Sequence, residues 1–303
     1  MGGMNNGREP RRCPACGAVE AERVGEKDKF AMSRCRACAT LYVAELPGAG
    51  ESEDYDGYYG EENLAVPEFV NRRLDEIIAG FGPYRRAGRL LDVGCGAGTF
   101  MQAARRAGWE AAGVEVSATA AEHNRAEGFE VFNGELADAR HPEGRFDVVV
   151  LSEVLEHVAD PRAMLSEVLR VMRPGGLLWA TTPNGRGFSA RALGLKWSAV
   201  SPPEHLHLFS RGAAESLLAE VGFVRASVAT EGFNPFELAG ALRGRAAPSA
   251  HAAGDERVRT GYELNAFLSE GGARRAVKDF ANGVLRLCGL GDSLKIRAEK
   301  KEE

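Results

Sequence analysis

The sequence predicts an α/β protein in which a mostly parallel sheet, covered on both faces by helices, follows a small cysteine-rich unit. Three observations predict it. From Gly88 onward, short apolar runs alternate with helical patterns. The first run ends in a bend with glycine at every second position, "GCGAG". Ahead of both, four of the 6 cysteines form two C-x-x-C pairs.

At 303 residues the chain has room for one large domain with an appendage, or for two ordinary domains. Hydrophobic residues at 44% and charged residues at 27% are ordinary for a globular protein, and no apolar run is long enough for a membrane span. The opening "MGGMNNGREPRR" lacks the apolar core of a signal peptide. The expectation is a cytoplasmic protein without membrane association, with its thiols reduced. A net charge of -5 and a pI near 5.8 argue against a dedicated nucleic-acid binder. The charge is uneven, because residues 41–63 carry seven acids and no base. That acidic, glycine-rich stretch is expected to act as a hinge between two units.

Cys13, Cys16, Cys35 and Cys38 leave an 18-residue gap between their two pairs. Such spacing lets two tight knuckles present four thiolates to one tetrahedral Zn²⁺. About forty residues bury too little apolar surface to fold alone, so the metal would supply the missing stability. Four thiolates leave no open position, which makes the expected site structural. Residues 1–45 are therefore expected to be a zinc ribbon, and 46–87 the acidic hinge with a leading helix.

In the second unit, strands are expected at "RLLDVG", "EAAGVE", "FEVF", "FDVVVLS" and "GLLWATT", with helices near 99–107, 117–127 and 161–172. Ligands of such sheets sit at the carboxyl ends of the strands. Gly94, Gly96 and Gly98 end the first strand, where glycine admits positive φ and close approach of a ligand. Glu115 ends the second, where a carboxylate can accept both hydroxyl hydrogens of a ribose. A dinucleotide site wants G-x-G-x-x-G with a pyrophosphate at a helix N-terminus. Here the third glycine comes one residue early, and Asp92 precedes the bend. That acid would repel a pyrophosphate but attract the cationic groups of S-adenosylmethionine. Asp92 as a helix cap or turn residue is the plainer alternative.

At these residues the chain resembles class I S-adenosylmethionine-dependent methyltransferases. "LDVGCGAGTF" is similar to their first motif, "GVEVS" to the acidic end of their second strand, "FDVVVLSEVLEHVADP" to the fourth strand and its loop, and "LRVMRPGGLLWATTPN" to the helix, turn and fifth strand. The resemblance runs from about Arg89 to Thr230. It implies a Rossmann-like sheet of order 3-2-1-4-5-7-6, with "FVRASVAT" and "DSLKIRAE" as the sixth and seventh strands. The core is then expected over 88–233, a helical cap insertion over 234–291, and the last strand and tail over 292–303. The resemblance also implies that Gly94, Gly96 and Gly98 line the methionine and ribose, with Asp92 nearby and Glu115 on the ribose hydroxyls. Leu136 would lie against the adenine and Ser152 under the methionine part.

After the fourth strand, "SEVLEHV" places Glu153, Glu156 and His157 at positions that share a face if a helical turn begins there. Three readings compete. Glu156 and His157 could belong to a first helical turn and serve its dipole. His157 could be a general base toward a substrate hydroxyl, a task suited to the ordinary imidazole pKa of about 6.5. Or Glu153, Glu156 and His157 could hold Mg²⁺ or Mn²⁺ with His205 of "PPEHLHLFS", a pattern similar to that of ubiquinone-pathway O-methyltransferases and small-RNA 2′-O-methyltransferases. A metal there would acidify and orient a bound hydroxyl. His205 and His207 would face the same side of an extended segment. Residues 181–210, with Phe188 and Trp197, suit a substrate wall, although Trp197 could equally pack the cap. Tyr55, Tyr58 and Tyr59 could close over the cofactor or sit in a solvated linker. Cys95 and Cys288 are expected to be inert thiols.

The expectation is thus a methyltransferase that acts at an oxygen of a small-molecule acceptor, such as a sugar, polyketide-like or quinone-like compound, with His157 and His205 as its catalytic residues. The ribbon together with "PPEHLHLFS" is similar to methyltransferases of cell-surface polysaccharide and natural-product pathways. The alternatives are an RNA methyltransferase that holds its substrate with the ribbon, and a non-catalytic binding module of the same fold.

Overall fold

A computed structural model of the chain describes residues 11–48, 59, 68–233, 237 and 283–302. Most of the expected cap over 234–291, and Tyr55 and Tyr58, lie outside these residues. In chain order the elements are β1 (Ala21–Lys27), β2 (Phe30–Cys35), β3 (Leu41–Val43), α1 (Glu68–Ala79), β4 (Arg89–Val93), α2 (Thr99–Arg106), β5 (Glu110–Glu115), α3 (Ala118–Ala126), β6 (Glu130–Asn133), β7 (Phe146–Ser152), α4 (Pro161–Val171), β8 (Met172–Pro183), α5 (Phe188–Leu193), β9 (His207–Leu208), α6 (Arg211–Val221), β10 (Phe223–Glu231) and β11 (Ser293–Lys300).

Seven strands form the large sheet in the order β10-β11-β8-β7-β4-β5-β6. Numbered within the sheet from β4, this is 3-2-1-4-5-7-6, as expected. The pairs of β4 with β5 and β7, of β5 with β6, and of β7 with β8 are parallel. β11 runs antiparallel between β8 and β10. The inner strands are apolar on both faces because helices cover both. Alternate residues divide the core: Leu90, Val148, Val150, Leu177 and Trp179 pack with Leu74, Ile78 and Phe81, whereas Leu91, Val149, Leu151 and Leu178 pack with Leu165, Val168 and Leu217. Side chains of period two on β7 and β8 thus anchor α1 on one face and α4 and α6 on the other.

Helix starts follow capping chemistry. Ser117, Asp160 and Ser210 each accept a hydrogen bond from a backbone N–H three residues on, at the start of α3, α4 and α6. Asp160 is followed by Pro161, whose fixed φ suits the first helical position.

The cysteine unit departs from a simple appendage. Its antiparallel strands form a four-stranded sheet of order β1-β2-β3-β9, and the fourth strand comes from the segment beyond β8. Leu41 pairs with Leu208, and Tyr42 with His207. Phe30, Met32, Leu41 and Val43 share one buried cluster with Trp197, Val200, Leu206 and Leu208. Trp197 therefore packs against the ribbon. Phe188 stacks edge-on to Phe233 at 5.1 Å.

Candidate active site

One cavity of about 780 Å³ opens at the carboxyl ends of β4, β5 and β7. Its wall includes Gly94, Glu115, Leu136, Ser152, Glu153, Glu156, His157 and His205, together with Tyr59. Asp92, Gly96 and Gly98 are not among its lining residues.

The bend after β4 makes the first half of the cavity. Gly94, Gly96 and Gly98 have φ of 69°, 49° and 74°, the left-handed region open to glycine at little cost. A Cβ on Gly94 would come to 2.6 Å from Val154 Cγ2, and one on Gly98 would overlap Asn124 Oδ1. Gly98 thus serves the packing of α3, whose Asn124 donates to Gly96 O at 2.7 Å. The space over Gly96 is taken by Tyr59, with its hydroxyl 2.7 Å from where a Cβ would stand.

Glu115 is buried, and its two oxygens accept from Gly96 N at 2.8 Å and Ser117 N at 2.9 Å. Each oxygen of an ionised carboxylate has a second lone pair, so the group can still accept a pair of hydroxyls. Asp92 lies within β4, which excludes a helix-capping role. It is 2% exposed, and its Oδ1 has no hydrogen-bond partner. Burial, and then the charge of Glu115, push its carboxyl well above the usual range. An orphaned buried acid beside a second one is a poor neighbour for a phosphate and a good one for a cation. Burial also pushes Cys95 far up, which makes it an inert thiol.

The second half of the cavity is built from "SEVLEHV". No helix begins there. Residues 155–157 form a turn, and α4 starts only at Pro161 under the Asp160 cap. The reading of Glu156 and His157 as part of a first helical turn is thereby overturned, because the cap and proline set the start later. Glu153 turns the chain with φ of 54°. The donor atoms of Glu156, His157 and His205 come within 4.8 Å of one another. Glu153 is not part of that group, although its charge helps to raise Glu156. Burial comes first in holding the Glu156 carboxyl well above its ordinary range. Glu156 Oε2 accepts from Thr182 Oγ1 at 2.8 Å, and Oε1 is buried without a partner. His205 Nδ1 lies 2.7 Å from Ala199 O, so Nδ1 carries the proton and the lone pair of the neutral ring is on Nε2. The rings of His157 and His205 meet edge to face at 4.7 Å.

His207 does not share this face. It enters β9, where Nε2 donates to Leu155 O at 2.8 Å, and burial lowers its pKa to about 3. Neither Phe188 nor Trp197 lines the cavity; from residues 181–210 its wall takes Ser198, Ser201, Glu204, His205 and Leu206. Sequence reasoning missed Tyr59 as a wall residue only in choosing among three tyrosines, and missed Thr182 and Ala199 because nothing in their types marks them.

The ribbon holds a second donor set. Its knuckles are alike: Gly17 N donates to Cys13 O and Ala39 N to Cys35 O, and Gly17 and Ala39 have φ of 71° and 60°. The four Sγ atoms lie within 4.8 Å of one another, with Cys13–Cys38 at 3.5 Å and Cys16–Cys35 at 3.6 Å. A tetrahedron of thiolates about 2.3 Å from Zn²⁺ has edges of about 3.8 Å, close to this spacing. The hydrogen bond between them raises Cys13 and lowers Cys38.

The order of strands, the glycine bend and the acid at the end of β5 define the fold of class I S-adenosylmethionine-dependent methyltransferases. The chain belongs to the methyltransferase-domain family, whose model matches residues 66–228. It is 32% identical over 162 residues to a ubiquinone biosynthesis O-methyltransferase of Ralstonia nicotianae, covering 50% of this chain and 65% of that one. The same name belongs to a Methylococcus capsulatus protein that is 32% identical over 163 residues, covering 49% of this chain and 69% of that one. Among solved structures, a SAM-dependent methyltransferase from Archaeoglobus fulgidus superposes with a TM-score of 0.53 at 20% identity, covering 82% of this chain and all of that one. The ribbon falls outside the family match.

Proposed function

We propose that the protein transfers a methyl group from S-adenosylmethionine to a hydroxyl oxygen of a small molecule, with Glu156, His157 and His205 holding Mg²⁺ or Mn²⁺ at the acceptor. The observation that carries this is the convergence of three donor groups from two separate loops on one end of the cavity. Their surroundings fit a metal: Thr182 orients Glu156, and Ala199 O fixes the tautomer of His205, the kind of outer support that ligands need. Bound there, a divalent cation would acidify and orient the acceptor hydroxyl while S-adenosylmethionine supplies the methyl group. The chain's own part is mostly placement. In this reading Glu115 takes the ribose hydroxyls, Leu136 lies against the adenine, and Gly94 lets the methionine part pass close to the backbone. Asp92 and Ser152 stand by its cationic end. In this reading His157 and His205 flank the acceptor hydroxyl as ligands; only a site without the metal would leave the His157 lone pair open to take the hydroxyl proton. In-line displacement depends heavily on such alignment.

The cavity wall carries carboxylates from Glu115 to Glu204 and, among the described residues, neither Lys nor Arg. That favours a neutral or cationic acceptor over RNA, whose phosphates need basic contacts. The names of the ubiquinone relatives support oxygen as the attacked atom and a quinone-like acceptor; a sugar or polyketide-like acceptor rests on the sequence resemblance alone. The four-cysteine set is read as structural Zn²⁺.

Calorimetry with S-adenosylmethionine tests the donor, and absence of heat at millimolar ligand leaves the enzyme reading without support; a chain that keeps this fold without turnover would be the non-catalytic binding module. For the metal, Glu156→Ala and His205→Ala should each abolish a Mg²⁺ or Mn²⁺ requirement. Activity indifferent to EDTA, with ribbon zinc monitored, would leave His157 as a base alone.

A further inference from the structure

We infer that the cysteine ribbon is the positioning element of the Glu156–His157–His205 cluster, and that Arg11 is the positioning residue through which it acts. The inference rests on the metal reading above. It assigns the ribbon a task other than contact with substrate.

The cluster lies on backbone that has no regular structure of its own: Glu156 and His157 are in a turn, and His205 precedes a two-residue strand. Beyond the Thr182 and His207 contacts, what ties these two loops to each other comes from the ribbon. Val43 N of β3 donates to Leu206 O at 3.0 Å, and Leu206 N in turn donates to Glu156 O at 2.8 Å. A line of two backbone bonds therefore runs from the ribbon sheet, through the residue next to His205, to Glu156. Arg11 spans the same junction. Its Nη1 donates to Val43 O at 3.4 Å and Leu206 O at 3.3 Å, and its Nη2 to Ala159 O at 3.0 Å. One guanidinium thus joins β3, the segment of His205 and the loop of His157. A planar group with five donors can bridge three carbonyls in this way.

A second contact points the same way. The carbonyl that sets the His205 tautomer belongs to Ala199, which packs in one buried cluster with Phe30, Met32 and Val43 of the ribbon. Metal sites tolerate displacements of only about 0.5 Å in their ligands. Groups that orient ligands from behind typically change metal affinity about 10-fold to 100-fold when removed.

The test uses the full chain as wild type, Arg11→Ala and Arg11→Lys, with Mn²⁺ titrated by electron paramagnetic resonance, S-adenosylmethionine by calorimetry, and zinc content measured. Arg11→Ala should bind Mn²⁺ at least about 10-fold more weakly, with zinc and S-adenosylmethionine affinity unchanged, and Arg11→Lys should recover part of the loss. Mn²⁺ affinity within twofold of wild type would overturn the inference, as would a parallel loss of zinc and both ligands, since Arg11 would then be general scaffold. If wild type itself takes up no Mn²⁺, the metal reading fails, and the ring ¹⁵N resonances of His157 and His205 decide the positioning claim. Movement of those resonances in Arg11→Ala supports it, and identical spectra refute it.

Discussion

Asp92, Glu156 and His207 are buried titratable groups whose pKa values move in opposite senses. For Asp92 and Glu156, burial holds the proton on in the folded chain to a higher pH than in the unfolded one. Their contribution is complete below the ordinary carboxyl pKa of about 4 and is lost as pH rises through the raised values. His207 does the reverse. Burial keeps it neutral down to about 3, so its contribution is lost as pH falls from about 6.5 toward 3, by about 1.4 kcal/mol per pH unit. Denaturant titration across pH should show stability declining on both sides. His207→Gln should flatten the acid side, since an amide nitrogen can still donate to Leu155 O, and Asp92→Asn with Glu156→Gln should flatten the other. An acid limb unchanged in His207→Gln would show that the ring titrates elsewhere. Asp92→Asn should also weaken S-adenosylmethionine by about 10-fold or more, because the bound cation favours the ionised carboxylate and draws its proton off, whereas an amide offers no charge to meet it. Calorimetry checks it. Sequence order made the three glycines and two acids legible, because their local spacing around a strand end defines the bend. It could not show that both oxygens of Glu115 are already engaged by Gly96 and Ser117, since that depends on how β4 and β5 lie side by side.

Among the elements, the bend between β4 and α2 and the start of α4 are the most exposed to single substitutions. Gly98→Ala would need a left-handed alanine and would drive a methyl into Asn124. A loss of about 2 kcal/mol or more is expected in urea unfolding, from strain and overlap together. Asp160→Ala removes the bond to Ala163 N and should cost about 1 kcal/mol while shifting the loop that carries His157. If α4 keeps its stability in that variant, the cap is not what fixes its start. The strands and helices of the large sheet were legible because each is a local pattern of apolar periodicity. The turn at 155–157 was not: acids and a histidine after a strand look like a helix start, and only the Asp160–Pro161 pair three residues on sets the true one. β9 was invisible for a related reason, since two residues hold no periodicity and its partner lies far back in the chain.

At the scale of the whole molecule, the two donor sets are held by one body. Ser210 Oγ donates to Cys38 O at 2.7 Å, Arg162 reaches Ala15 O at 3.3 Å, and Cys13, Cys35 and Tyr42 share a buried cluster with Phe209 and Leu217. The convergence of the four cysteines was legible from spacing alone, whereas their attachment to the large sheet required the fold. Stripping the ribbon metal should therefore lower the unfolding temperature of the main transition in calorimetry as well as melting the ribbon. Two independent transitions would show that the parts are uncoupled. The pairing of Leu41 with Leu208 also has a consequence for biosynthesis. A chain leaving the ribosome has its knuckles long before the strand that closes their sheet, so the early cysteines wait with one hydrogen-bonding edge uncovered. Bringing two such distant stretches together carries the entropy of a large loop, which slows the step. Zinc captured during that wait would hold the nascent segment in register until its last neighbour emerges.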